Sequence, residues 1–135
     1  MKIAVASDDG VNTSQHFGRA PYYVVATVED GGVVARETRV KSGHHTFAAA
    51  HMNGDYLVDA RGNRGYGSVA ASRHDVMAQS ILDCQILICG GMGWGAYESM
   101  QSNNIKTIVT DIINLHDAIA SYLSGTLTNL TDRLH

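Results

Sequence analysis

The chain of 135 residues reads as an α/β domain built on one mixed sheet of about five strands, with helices on its faces. Three observations predict this. Short apolar segments bounded by Gly and Asp recur along the chain, the mark of strands ended by turns. In the first half two such segments flank Asp30-Gly31-Gly32, a hairpin signal that makes them antiparallel neighbours. In the second half strands alternate with helical stretches, which requires parallel crossovers.

Taken in order, residues 2–7 (KIAVAS) form a short apolar strand ended by Asp8-Asp9-Gly10. Residues 22–29 (YYVVATVE) are β-branched and aromatic, and residues 33–41 (VVARETRVK) alternate apolar and polar as a half-buried partner strand should. Residues 42–67 break this rhythm. They show no clear period, carry several glycines with His44, His45 and His51, and read as a functional loop. Ser72-Arg73-His74-Asp75 is a capping-box pattern before a helical stripe of Met77, Ile81 and Cys84. Residues 85–89 (QILIC) read as a buried strand, and a helix starting near Gly93 to Gly95 turns Tyr97 and Met100 inward. Residues 106–110 (KTIVT) make the last strand. Asn114 then caps a helix that buries Leu115, Ala118, Ile119, Tyr122 and Leu123, and Gly125 ends it. No internal repeat or low-complexity segment appears, so residues 1–135 read as a single domain.

Composition narrows the function. Apolar residues make up 44% and charged residues 17%, which excludes a disordered tail protein. Ten basic against thirteen acidic residues leave a net charge of −3, and no basic cluster supplies a phosphate-backbone footprint, so no nucleic-acid partner is expected. The longest apolar runs fall far short of a membrane span, and Asp8 and Asp9 arrive too early for a signal-peptide core. Two cysteines cannot staple a secreted scaffold, so the expected compartment is the cytoplasm.

Three groups of residues could carry chemistry. The first is the loop after strand one, His16-Phe17-Gly18-Arg19-Ala20-Pro21, at the carboxyl end of a strand where open α/β sheets collect ligands. His16 offers a ring nitrogen, Arg19 a positive fork for an anion, and Gly18 a backbone conformation other residues avoid. An ordinary turn with a solvated histidine would look the same. The second group is Gly90-Gly91-Met92-Gly93-Trp94-Gly95-Ala96, between a strand and a helix, where free N–H groups attract anions. Gly91, Gly93 and Ala96 fit G-x-G-x-x-A, and Asp111 stands at the end of the next strand, a dinucleotide fingerprint in outline. Close packing of helix on strand needs the same glycines, and it is the simpler reading because only one further strand follows.

The third group is His44, His45, His51, His74 and His135. Adjacent His44 and His45 could close on a metal ion, although no spacing here matches a closed zinc site. Cys84 and Cys89 read as buried hydrophobes, with a cluster-ligand role as the lesser option. Asp8, Asp9, Asp59 and Asp111 could assemble a two-metal hydrolase centre, but no recognisable nucleophile motif accompanies them, and no enzyme is expected.

The opening Met1-Lys2-Ile3-Ala4-Val5-Ala6-Ser7-Asp8-Asp9-Gly10, the HFGRAP element at 16–21 and the GGMGWGAYES element at 90–99 together resemble the dinitrogenase iron–molybdenum cofactor biosynthesis family. That family includes NifX, NafY, the C-terminal part of NifB and many stand-alone domains. The likeness covers nearly the whole chain and is weakest over residues 42–67. It implies a ribonuclease-H-like fold with a five-stranded mixed sheet. It also implies binding or carrying of an iron–sulfur or molybdenum-containing cluster, or its precursor, during cofactor assembly, without catalysis. The resemblance makes His16 a ligand or hydrogen-bond donor, Arg19 a charge partner, Phe17 and Gly18 parts of the same binding element, and Gly91 and Gly93 points of backbone access. Its implied partners are the metallocofactor and cofactor-assembly proteins. One relative, the orange protein, is associated with a molybdenum–copper sulfide cluster, so membership does not fix the metal. The histidine-bearing segment 42–67 is expected to form a lid or a separate metal site through His44 and His45. The alternative is a nucleotide-binding module using the 91–96 turn and Asp111. Open strand edges at the hairpin would allow a homodimer.

Overall fold

The computed structural model describes residues 1–41 and 77–135. Alternation along the first strand sorts the core into two layers. In β1 (Lys2–Ser7) Ile3 and Val5 face one side of the sheet and Ala4 and Ala6 the other, all four fully buried. β1 pairs antiparallel with β2 (Tyr22–Glu29) and parallel with β4 (Ile86–Cys89). β2 carries β3 (Gly32–Val40) on its outer side, and β4 carries β5 (Lys106–Val109) in parallel. The result is a five-stranded mixed sheet in the order β3-β2-β1-β4-β5, and the chain is α/β as its pattern predicts.

One face is covered by α1 (Trp94–Ser102) and by the stretch around residues 77–84, through Met77, Ile81, Cys84, Ala96 and Met100. α2 (Leu115–Leu123) covers the opposite face with Leu115, Ala118 and Ile119 against Ile3, Val5, Ile86 and Ile88. The start of α2 is fixed as expected: the Asn114 side chain accepts from the N–H of His116 (2.9 Å) and Asp117 (3.1 Å). Asp30 and Gly31, both at positive φ, make the two-residue β2–β3 turn whose twist suits a hairpin. Among the described residues no helix is long and apolar enough to cross a membrane.

β3 differs from its expected half-buried state. It runs Gly32–Val40, one residue earlier at both ends than its alternation indicates, and all of it is exposed except half-buried Arg39. Being outermost, it lies beyond the reach of both helical layers. Its long side chains reach inward instead: Arg39 grips Asp83 at 2.7 and 2.9 Å, and Arg36 meets the His116 ring. The other edge is covered. Val109 in β5 accepts from the N–H of Leu130 (2.8 Å) and donates to Asn129 Oδ1 (2.9 Å). The capping box at 72–75, the 42–67 loop with His44, His45 and His51, and also His74 and Asp59 lie outside the described residues.

Candidate functional site

Two loops leave the carboxyl ends of the adjacent parallel strands β1 and β4, and backbone hydrogen bonds sew them together. Ser14 N–H donates to Ala6 O (2.8 Å), Gly90 N–H to Ser14 O (2.7 Å), and Phe17 N–H to Gly91 O (2.9 Å). Such close approach leaves no room for side chains on the second loop. A Cβ on Gly90 would stand 2.9 Å from Ser14 O, and one on Gly91 only 2.5 Å from Gln15 O. Gly91 is therefore buried beneath the Gln15 backbone and packs one loop on the other. Gly93 is different: it is half-buried and caps α1 without any side-chain bond.

Upstream of this seam, Ser7 and Asp9 hold the first loop. Asp9 Oδ1 accepts from Val11 N–H (2.9 Å) and Asn12 N–H (2.8 Å), and these bonds hold its carboxyl below the ordinary range. Asp8 takes a hydrogen bond from the Ser14 hydroxyl at 3.1 Å. Both carboxylates thus serve the loop. Downstream, His16 caps a 3-10 turn (Phe17–Arg19) that buries Phe17 and leaves the side chains of His16 and Arg19 exposed. Gly18 lies in this turn without a positive φ and with open space around it. The conformational reason expected for a glycine there does not apply, because a 3-10 turn uses right-handed backbone that any residue adopts.

The two loops and the C-terminal segment enclose a cavity of about 290 Å³ lined by His16, Phe17, Arg19, Met92, Gly93 and His135, among others. Leu134 pairs with Met92, and Arg133 donates to Gly90 O (3.1 Å) and Gln15 Oε1 (3.0 Å), which fixes that wall. Gly95 and Ala96, in the first turn of α1, also line the cavity, and no partner within the described chain takes up their N–H groups. The arrangement offers an imidazole edge, a guanidinium and open peptide amides to one guest, which suits a compact anion.

Of the residues singled out from sequence, His16, Phe17, Gly18, Arg19, Gly93 and Ala96 meet at this cavity, together with His135 from the histidine group. Gly91 lies behind it. Asp111 is exposed beyond β5 and does not line it. Cys84 and Cys89 are buried free thiols on the core side, both pushed up to about 12 chiefly by burial, so they remain protonated and apolar in character. Among the described residues no three His, Cys, Asp or Glu side chains gather as a metal site. A second, larger groove of about 640 Å³ runs between β3 and residues 79–83, but it is shallow, and its Arg39, Glu37 and Asp83 are paired with one another.

Lys41 is the residue that sequence reasoning missed. It directly follows β3 and is fully buried, with Nζ donating to Phe17 O and sitting 4.0 Å from the centre of the Phe17 ring. Burial brings its ammonium down from 10.5 to about 8, outweighing the opposing pull of the nearby Asp8 carboxylate. No local pattern distinguishes it from a solvated strand-end lysine.

Solved structures with the same fold include PH0822 (21% identity, TM-score 0.65, covering 98% of each chain) and MJ0327 from Methanocaldococcus jannaschii (14%, TM-score 0.61, covering 97% of this chain and 95% of that one). The apo form of the orange protein from Desulfovibrio gigas is similar too, at 20% identity and TM-score 0.62 over 95% of this chain and 91% of the other. No curated protein sequence matches. At such identities the structures speak for the fold alone. The family described as "Dinitrogenase iron-molybdenum cofactor" matches residues 1–125, and by that match the chain belongs to this family.

Proposed function

We propose that this protein binds and carries a preassembled metal–sulfur cluster, or the molybdenum–sulfide or iron–sulfide precursor of one, at the rim formed by the β1 and β4 loops. Family membership supports a role around the iron–molybdenum cofactor. The observation that carries the reading is the cavity that joins His16, Arg19 and the first turn of α1, which has no side-chain cap. A bare divalent ion needs three or four protein ligands, and the described residues gather no such set. A cluster brings its own sulfides and needs only one or two protein ligands, hydrogen-bond donors and compensating positive charge. The residues present fit that cargo. His16 would ligate it or donate to its sulfide, Arg19 would offset its charge, and the Gly95 and Ala96 amides would face it.

In this reading the protein is a non-enzymatic cytoplasmic carrier, with the 3-2-1-4-5 sheet as a ribonuclease-H-like scaffold. It would hand its cargo to cofactor-assembly proteins, and a homodimer would form on the open edge of β3. The nucleotide alternative is weaker. The Gln15 backbone already fills the approach to Gly91 that a pyrophosphate would need, and Asp111 lies away from the cavity.

Anaerobic titration with tetrathiomolybdate, a soluble molybdenum–sulfide dianion, tests the proposal. Loading should perturb the sulfide-to-metal absorption, and His16→Ala or Arg19→Ala should weaken it by about tenfold, since each removes one charge-assisted or ligating contact. Melting temperatures should stay unchanged, because both side chains are exposed. Full retention by both variants would move the cargo to His44 and His45. A melting shift with NAD or ATP in place of thiomolybdate would favour the nucleotide reading.

A further inference from the structure

Lys41 carries its charge in a fully buried position. A buried ammonium is costly, and an apolar side chain of similar length would fill the space beside the Phe17 ring at lower cost. Nor does the backbone depend on it. Phe17 O also accepts from Ala20 N–H at 3.2 Å and would keep a donor if the lysine were removed. What Lys41 does have is position. It lies against Phe17, and Phe17 is itself a wall of the cavity.

We propose that Lys41 is a specificity-determining charge: an ammonium held behind the Phe17 wall that makes the cavity prefer guests of higher negative charge. The inference rests on the carrier reading above. Its physical basis is screening. Arg19 stands in water, where its field is largely damped, whereas a charge sealed behind an aromatic ring acts through lower-dielectric protein. Among the described residues, the other ionisable groups that act on it are Asp8, whose exposed carboxylate is screened by water, and the Cys89 thiol, which burial keeps protonated. A guest gains from this charge in proportion to its own, and a dianion gains twice what a monoanion does. Lys41 need not touch the guest, so its role is to select.

Two tetrahedral thioanions of nearly equal size and different charge, tetrathiomolybdate (2−) and tetrathioperrhenate (1−), separate charge from shape. Lys41→Met removes both the charge and the bond to Phe17 O, while Lys41→Gln removes the charge and keeps an N–H donor. Both variants should lower the dianion-over-monoanion affinity ratio by about thirtyfold, the effect of one unit charge at roughly 8 Å through an effective dielectric constant of about 20. Equal weakening of the two anions would show that Lys41 only shapes the 3-10 turn, and would overturn the proposal. An unchanged ratio in both variants would overturn it as well. If the wild-type chain binds neither anion, the carrier reading fails and this inference falls with it, an outcome distinct from the other two.

Discussion

A buried lysine should leave a signature in stability as well as in binding. Lys41 is charged in the folded and the unfolded chain below about pH 8, so the cost of burying its charge is then fully present. Between about 8 and 10.5 the folded state has released the proton while the unfolded chain still holds it. The unfolded state binds more protons in that window, so wild-type stability should rise with pH across it. Lys41→Met should therefore be more stable than wild type at pH 7, by about 2 kcal/mol after allowing for the lost cation–π contact. That advantage should shrink toward zero by about pH 10.5. Urea unfolding at pH 7 and pH 10 measures both ends. A variant less stable than wild type at pH 7 would mean that the Phe17 contacts outweigh desolvation. Taken with its expected loss of anion selectivity, the variant would exchange function for stability, as charged groups at binding sites often do.

At the scale of elements, the informative unit is the pair of loops after β1 and β4. Sequence alone makes Gly91 and Gly93 equivalent points of backbone access, because the absence of a side chain looks the same whether a ligand or a neighbouring loop comes close. The structure separates them. Gly91→Ala would drive a Cβ to 2.5 Å from Gln15 O, a backbone atom with no freedom to yield, whereas the nearest atom at Gly93 is His135 O at 3.7 Å. Gly91→Ala should cost about 2 kcal/mol or more and should disturb the Phe17 turn, while Gly93→Ala should stay within about 0.5 kcal/mol of wild type. Thermal melts of the two variants side by side check this. β1, β2 and the hairpin turn were legible because alternation and Asp-Gly chemistry act locally, and strand limits there coincide with the apolar runs. The exposure of β3 was not legible. The mixture of apolar and polar residues over 33–41 suits a half-buried strand equally well, and only sheet order places it outermost. Lys41 and the approach of His135 to Met92 depend on contacts distant in sequence, which no local pattern records.

Across the whole molecule, the exposed edge of the sheet is tied to its centre by charge. Arg39 in β3 holds Asp83, and Asp83 also accepts from Lys2 in β1 at 3.1 Å, so one carboxylate links the outermost strand, the central strand and the segment entering β4. Hydrogen bonds from Arg39 above all, and then from Lys2, hold the Asp83 carboxyl well below the ordinary carboxylate range. A carboxylate depressed in the folded state stabilises it at all pH values above the ordinary range and loses that contribution as acid protonates it. The side chain of Asp83 is 47% exposed, so solvent screens the network and its worth is modest. Asp83→Asn should then destabilise the protein by no more than about 1 kcal/mol at pH 7. It should also lack part of the wild-type fall in stability below about pH 4, so the two denaturation profiles should converge in acid. Because neither Lys2, Arg39 nor Asp83 lines the His16 and Arg19 cavity, thiomolybdate affinity at pH 7 should be untouched. A loss of affinity in Asp83→Asn would mean that the edge strand positions Lys41, the residue directly beyond its end, and would join the two halves of the sheet into one binding device.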